Sequence, residues 1–147
     1  MENKISINKM TLEDLNSIEN ILITDFDDFW NFNILKQEFL SDTTSLFVAK
    51  KEDEIVGFIG VQFILNEANI TNIVTKKQSR NQGIGSALLN YAINYSKCHN
   101  MISITLEVNE NNSSALSLYK KSNFKQVGLR KNYYNGTDNA IIMTLLF

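Results

Sequence analysis

Proline is missing from all 147 residues, and cysteine and histidine occur once each, side by side as Cys98 and His99. A single cysteine builds no disulfide framework, and with a single histidine it builds no Cys/His metal cluster, so no metal is expected. Neighbouring side chains on a helix point about 100° apart, which also rules out Cys98 and His99 as a thiol–imidazole pair. An excess of one charge is missing too: 14 basic against 16 acidic residues leave a formal net charge of -2. That is too little positive charge for a surface dedicated to neutralising phosphates, so no direct nucleic-acid partner is expected. There is no apolar run near the roughly 20 residues of a membrane span, and no basic stretch followed by an apolar one after Met1. Together these absences point to a cytoplasmic protein with no membrane partner.

What is present suits one folded domain. Hydrophobic residues at 44% and charged residues at 20% exclude a disordered or fibrous chain. The length is enough for one core, and no repeat, low-complexity tract or linker interrupts it, so a single domain over 1–147 is expected.

Along the chain, Ile5 and Ile7 alternate with polar residues as a short strand. Thr11-Leu12-Glu13-Asp14 has the form of a capping box and opens a helix with Leu12, Leu15, Ile18 and Leu22 on one face. Thr24 to Trp30, with Asp25, Asp27 and Asp28 among aromatics, reads as a loop whose acidic groups could attract a basic peptide. Asn31 can cap a second helix from Phe32 to Leu40. Strand-like runs follow at Ser45 to Lys50, Ile55 to Leu65 and Ala68 to Thr75, the first two joined by a polar turn, and an antiparallel meander is the simplest topology. From Gly83 the period changes: Ile84, Ala87, Leu88, Tyr91, Ala92 and Tyr95 share one face of an amphipathic helix. Ile102 to Val108 alternates as a strand, Ser113 to Lys121 is a short helix ended by Asn123 in left-handed geometry, and Ala140 to Phe147 is a last strand.

Chemistry concentrates in Arg80-Asn81-Gln82-Gly83-Ile84-Gly85, between a strand and the long helix. Glycines without Cβ atoms let the backbone curl and bring N–H groups up to an anion, and the helix adds the positive end of its dipole. Lys76, Lys77 and Arg80 add charge to the same loop, and a pyrophosphate is the group this suits. A Rossmann turn would need Gly or Ala at Leu88, and a P-loop would need Gly-Lys-Ser/Thr; neither is present.

Arg80-x-x-Gly83-x-Gly85 matches the Gln/Arg-x-x-Gly-x-Gly/Ala signature of the GNAT superfamily of N-acetyltransferases, and the chain resembles that family. The likeness continues through Leu106-Glu107-Val108, Asn112, Ala115, Leu118-Tyr119 and Phe124. Glu67-Ala68, Asn72-Ile73, Arg130 to Tyr134 and Asn139 to Met143 are similar to the ribosomal-protein-alanine N-acetyltransferase branch. It covers about Glu67 to Met143; the first half matches in element order. Two departures stand out. Lys76-Lys77 replaces the family's Asp-Pro at the loop, and Asn123-Phe124 replaces Gly-Phe after the helix.

This resemblance implies an α+β, three-layer GNAT fold: a mixed, mostly antiparallel sheet of about seven strands with about four helices on both faces. It implies acetyl-CoA as co-substrate, its pantetheine arm paired with Ile73, Val74 and Thr75. The pyrophosphate would lie on Arg80, Asn81, Gln82, Gly83, Ile84, Gly85 and Ser86, with Asn112 as a further coenzyme contact. Glu107 takes the place of the general base and Tyr119 of the general acid. Tyr133 and Tyr134 either line a groove for the acceptor or pack as a hairpin pair.

The implied reaction is direct attack by an amine in a ternary complex, the acceptor being the N-terminal α-amine of a protein such as a ribosomal protein. A carboxylate of ordinary acidity lies about 3.5 pKa units, or roughly 5 kcal/mol, below an α-ammonium, and about 8 kcal/mol below lysine. A glutamate base therefore needs a water relay or raised proton affinity, and an α-amine is the easier acceptor. A small-molecule amine acetyltransferase, acting on a polyamine, aminoglycoside or amino acid, stays open as an alternative, as does a non-catalytic CoA-binding module.

Overall fold

The computed structural model describes residues 4–26 and 31–147. Asp27 and Asp28 of the expected acidic loop lie outside the described residues. Thr24 and Asp25 belong to the helix before it.

Among the described residues, seven strands form one sheet in the order β1-β2-β3-β4-β5-β7-β6. They are β1 (Ile5–Lys9), β2 (Thr44–Lys51), β3 (Glu54–Ile64), β4 (Glu67–Thr75), β5 (Ser103–Asn109), β6 (Lys125–Tyr134) and β7 (Asp138–Leu146). The helices are α1 (Leu12–Asp25), α2 (Phe32–Leu40), α3 (Ile84–Cys98) and α4 (Ser113–Lys121). This is the mixed sheet and four helices of the expected GNAT architecture.

Local chemistry sets the helix ends. Thr11 Oγ1 accepts from Asp14 N at 3.1 Å, and Asp14 Oδ2 accepts from Thr11 N at 3.0 Å, a reciprocal capping box. Asn31 accepts from Asn33 N at 2.8 Å and so opens α2. After α4, Asn123 has φ 71 and Phe124 N donates to Tyr119 O at 3.0 Å, the left-handed stop usually given to glycine. Glu52 and Asp53, both with positive φ, make the tight turn from β2 to β3.

The fold divides into two compact units. The first comprises Met1–Gln62 and Thr71–Tyr95. There β2 presents alternate residues to opposite faces. Leu46 and Val48 join Leu15, Ile18, Leu22, Leu35 and Phe58 in one core. Phe47 faces the other way and meets the rings of Tyr91 and Tyr95 on α3 at 4.9 and 4.8 Å. This unit is thus layered, with α1 and α2 on one face of its strands and α3 on the other.

The second unit comprises Phe63–Ile70 and Ser96–Phe147. Here β5 pairs antiparallel with β7 from Ser103↔Leu146 to Asn109↔Ala140, and β7 pairs with the edge strand β6. The parallel pairing of β4 with β5 is short, covering only Glu67↔Ser103 to Asn69↔Thr105. No helix among the described residues is long and apolar enough to cross a membrane.

Candidate active site

The first unit holds the glycine loop. A single 3₁₀ turn, Lys77–Ser79, follows β4, and Arg80 leaves it in extended conformation. Asn81 and Gly83 then take positive φ, 62° and 80°. These two positions make the curl. Gly85, expected to share it, is instead the second residue of α3. Ile84 is buried and pins the first helical turn, while Asn81, Gln82 and Ser86 are exposed. Ala87 N donates to Gly83 O at 3.0 Å, which is the first bond of the helix. The N–H groups of Gly83, Ile84, Gly85 and Ser86 therefore have no acceptor within α3 and, with its dipole, suit an anion.

Charge around this loop differs from the sequence expectation. Lys76 is buried and its ammonium is paired with Glu54 and Asp25, so its charge is spent inside the unit. These partners are distant in sequence, which is why Lys76 reads like a loop cation beside Lys77 and Arg80. In its place Lys51, at the end of β2, donates to Gln82 Oε1 at 3.0 Å and brings a positive charge to the loop.

Just before the loop, Val74 is buried, whereas Ile73 and Thr75 point to the other face of β4 and are half-buried. The described pairing of β4 with β5 stops at Asn69. Beyond it, the backbone edge of Ile73 to Thr75 on that side has no strand partner among the described residues, as a strand must if an extended ligand is to pair with it.

The second unit gathers Glu107, Tyr119, Tyr133 and Tyr134. Glu107 is on β5, half-buried, and its Oε1 accepts from Arg130 Nε at 3.0 Å. Arg130 also lies over the Tyr133 ring, 5.5 Å from its centroid, so one guanidinium orients both side chains. Sequence reasoning gave Arg130 no role; its partner is across the sheet, through β7. Tyr133 and Tyr134 meet edge to face at 5.1 Å, with Tyr133 exposed and Tyr134 half-buried. They pack as a pair, and Tyr133 still presents a face to solvent.

Tyr119, on α4, is buried against Phe124, with ring centroids 5.9 Å apart. Its hydroxyl has no hydrogen-bond partner among the described residues. Burial, helped by the nearby Tyr134, pushes its phenol up to about 12. Tyr134 is itself raised, by burial first and then by the negative charge of Glu107. Asn112 caps α4: its Oδ1 accepts from Ala115 N at 3.2 Å and from Ser114 Oγ at 3.2 Å. Its amide nitrogen alone is left for a coenzyme.

Comparison with known proteins adds to this geometry. The family model described as Acetyltransferase (GNAT) family matches residues 14–124. A Bacillus subtilis (strain 168) relative, provisionally named a [ribosomal protein bS18]-alanine N-acetyltransferase, is 33% identical over 97% of this chain and 96% of its own. The Escherichia coli (strain K12) protein named [ribosomal protein bS18]-alanine N-acetyltransferase is 32% identical over 67% of this chain and 69% of its own. The crystal structure of the ribosomal-protein-S18-alanine N-acetyltransferase from Escherichia coli superposes with a TM-score of 0.88 at 26% identity, covering 97% of this chain and 94% of that one.

Proposed function

The chain belongs to the acetyltransferase (GNAT) family, and from that membership we propose that it moves acetyl from acetyl-CoA to the α-amine of a protein N-terminus. The acceptor is the terminal alanine of a ribosomal protein, and residues 1–147 act as one catalytic domain. The observation that carries the acceptor is a relative named for bS18-alanine acetylation, aligned over 97% of this chain.

Each part of the molecule supports a step. The pyrophosphate lies on the free amides of the loop and the first turn of α3, with Arg80 and Lys51 adding charge. Pantetheine pairs with the open edge of Ile73, Val74 and Thr75, and the Asn112 amide gives a further contact. Glu107, oriented by Arg130, takes the amine proton through water, and the neutral amine attacks the thioester carbonyl. An amide of β4 near Ile73 donates to the oxyanion, which then expels the thiolate as the attached nitrogen gives its second proton to water.

Tyr119 acts on that sulfur, and its acidity refines the role. A phenol near 12 lies about 3.5 pKa units above an ordinary thiol, so complete proton transfer to the thiolate is uphill by roughly 5 kcal/mol. Donation of a hydrogen bond carries no such cost and still stabilises the leaving charge. Tyr119 therefore serves as a fixed donor to sulfur, and solvent supplies the proton.

The test is a panel of amines assayed by release of the CoA thiol: alanine-initial basic peptides, spermidine and amino sugars. Turnover of the peptides is expected. Turnover of the small amines alone would refute the peptide acceptor.

A further inference from the structure

In the first unit, on the α1–α2 side of the sheet, three polar side chains meet without an ion pair. Asn72 of β4 donates from Nδ2 to Glu38 Oε2 at 3.0 Å and to Thr71 Oγ1 at 3.2 Å. Both oxygens thus meet the one Asn72 nitrogen, and the Thr71 hydroxyl lowers the proton affinity of the Glu38 carboxylate. Glu38 is half-buried and has no cationic partner among the described residues. Burial pushes its carboxyl above the usual range, and the Thr71 hydrogen bond only partly opposes that. Asn72 is 7% exposed, and its Oδ1 is buried without a hydrogen-bond partner among the described residues.

Such an arrangement is costly as a fastening. A buried acceptor left unpaired is destabilising, and a leucine at 72 would hold α2 to the sheet without that cost. Gly60 on β3 lets these side chains sit close against the neighbouring strand. A Cβ at Gly60 would lie 2.5 Å from Thr71 Oγ1 and 2.7 Å from Asn72 Nδ2. The three available acceptors are a carboxylate short of positive charge, an unpaired amide oxygen and a hydroxyl. Their complement is a group with several N–H donors and one positive charge.

We propose that Glu38, Asn72 and Thr71 seat the ammonium group of the acceptor before transfer, with Glu38 as the charge partner and Asn72 Oδ1 as the orienting acceptor. This rests on the acetyl-transfer reading and adds to it the feature that selects a primary amine. The seat is next to Ile73, near which a strand amide faces the oxyanion in that reading.

The test compares an alanine-initial peptide with its twin bearing propionyl in place of alanine, both binding in the presence of free CoA, where neither can react. Hydrogen bonds to charged groups contribute 1.5–3 kcal/mol, so wild type should prefer the amine about ten- to a hundredfold. Glu38→Gln keeps the shape and the bond from Asn72 but removes the charge; the preference should fall to within about threefold. Asn72→Leu should reduce it partly. Because the burial of Glu38 is unfavourable, Glu38→Gln should melt no lower than wild type at pH 7. A preserved preference in Glu38→Gln, with or without a lower melting temperature, overturns the proposal. If wild type acetylates a small amine and no peptide, the acceptor reading has failed. The same comparison, made with that amine and its des-amino analogue, then decides the seat by the same ratio.

Discussion

Two glycines in the first unit permit a test in which sterics and backbone conformation separate. Gly57, on β3, has an ordinary φ, but a Cβ there would lie 2.8 Å from the Val74 carbonyl, 3.0 Å from Ile84 Cγ2 and 3.1 Å from Leu88 Cδ1. The carbonyl belongs to a strand and cannot rotate away, so β4 or α3 must shift. Overpacking of this kind costs about 1–3 kcal/mol, and alanine recovers about 0.4–1 kcal/mol by restricting the unfolded chain. Gly83 is the reverse case. Its φ is +80° and nothing lies within 4 Å of an added Cβ, so Gly83→Ala meets strain of about 1–2 kcal/mol and no clash. For a chain of this size each kcal/mol lowers Tm by roughly 2–4 °C. Urea unfolding of both variants, with acetyl-CoA affinity measured alongside, checks the distinction. Gly57→Ala should lose stability and also weaken coenzyme binding, because the displaced groups are Val74 of the pantetheine strand and the first turn of α3. A Gly57→Ala protein with wild-type stability and affinity would refute the close approach on which the reasoning rests.

Other outcomes are narrower. Tyr119→Phe should reduce turnover by about tenfold or more while leaving acetyl-CoA affinity nearly unchanged, since it removes a hydrogen bond made to developing charge; an unchanged rate removes Tyr119 from the reaction. Asp14 would be raised by its burial, but the bonds from Lys50, at 2.7 Å, and from Thr11 outweigh that and hold it below the usual range. Its folded pKa is depressed, so its contribution is present above the unfolded value near 3.9 and is lost as pH falls through the folded one. Asp14→Asn should thus cost roughly 1–2 kcal/mol at pH 7, with the gap to wild type closing below about pH 4. A gap independent of pH would contradict the assignment.

What could be read in the sequence was local or periodic. The capping box at Thr11, the Asn31 cap, the left-handed Asn123 and the span of α4 depend on residues a few positions apart, and the structure contains each. The apolar stripe of α3 and the alternation of β5 follow from one buried face, whereas β2, buried on both faces, reads only as an apolar run. Strand β6 gave no such signal, because it is an edge strand exposed along most of its length, with irregular register at Gln126/Gly128 and Arg130/Tyr134. Pairings across the sheet were equally hidden: Lys76 with Glu54 and Asp25, Glu107 with Arg130, and Glu38 with Asn72. Each joins residues tens of positions apart, and their charges alone do not tell a buried partner from a solvated side chain. The glycine loop was recognisable as a loop, but only coordinates separate Gly83, which bends the chain, from Gly85, which continues the helix.

The acceptor is the central claim, and protein-level mass spectrometry tests it most directly. Ribosomal protein bS18 with a free N-terminal alanine is incubated with acetyl-CoA and the purified chain, and the modified atom is located by fragmentation. Acetyl on the alanine α-amine, formed by wild type and strongly reduced in Glu107→Gln, is the predicted result. An unmodified α-amine under conditions where the enzyme turns over another amine, or acetyl found only on lysine side chains, would contradict it.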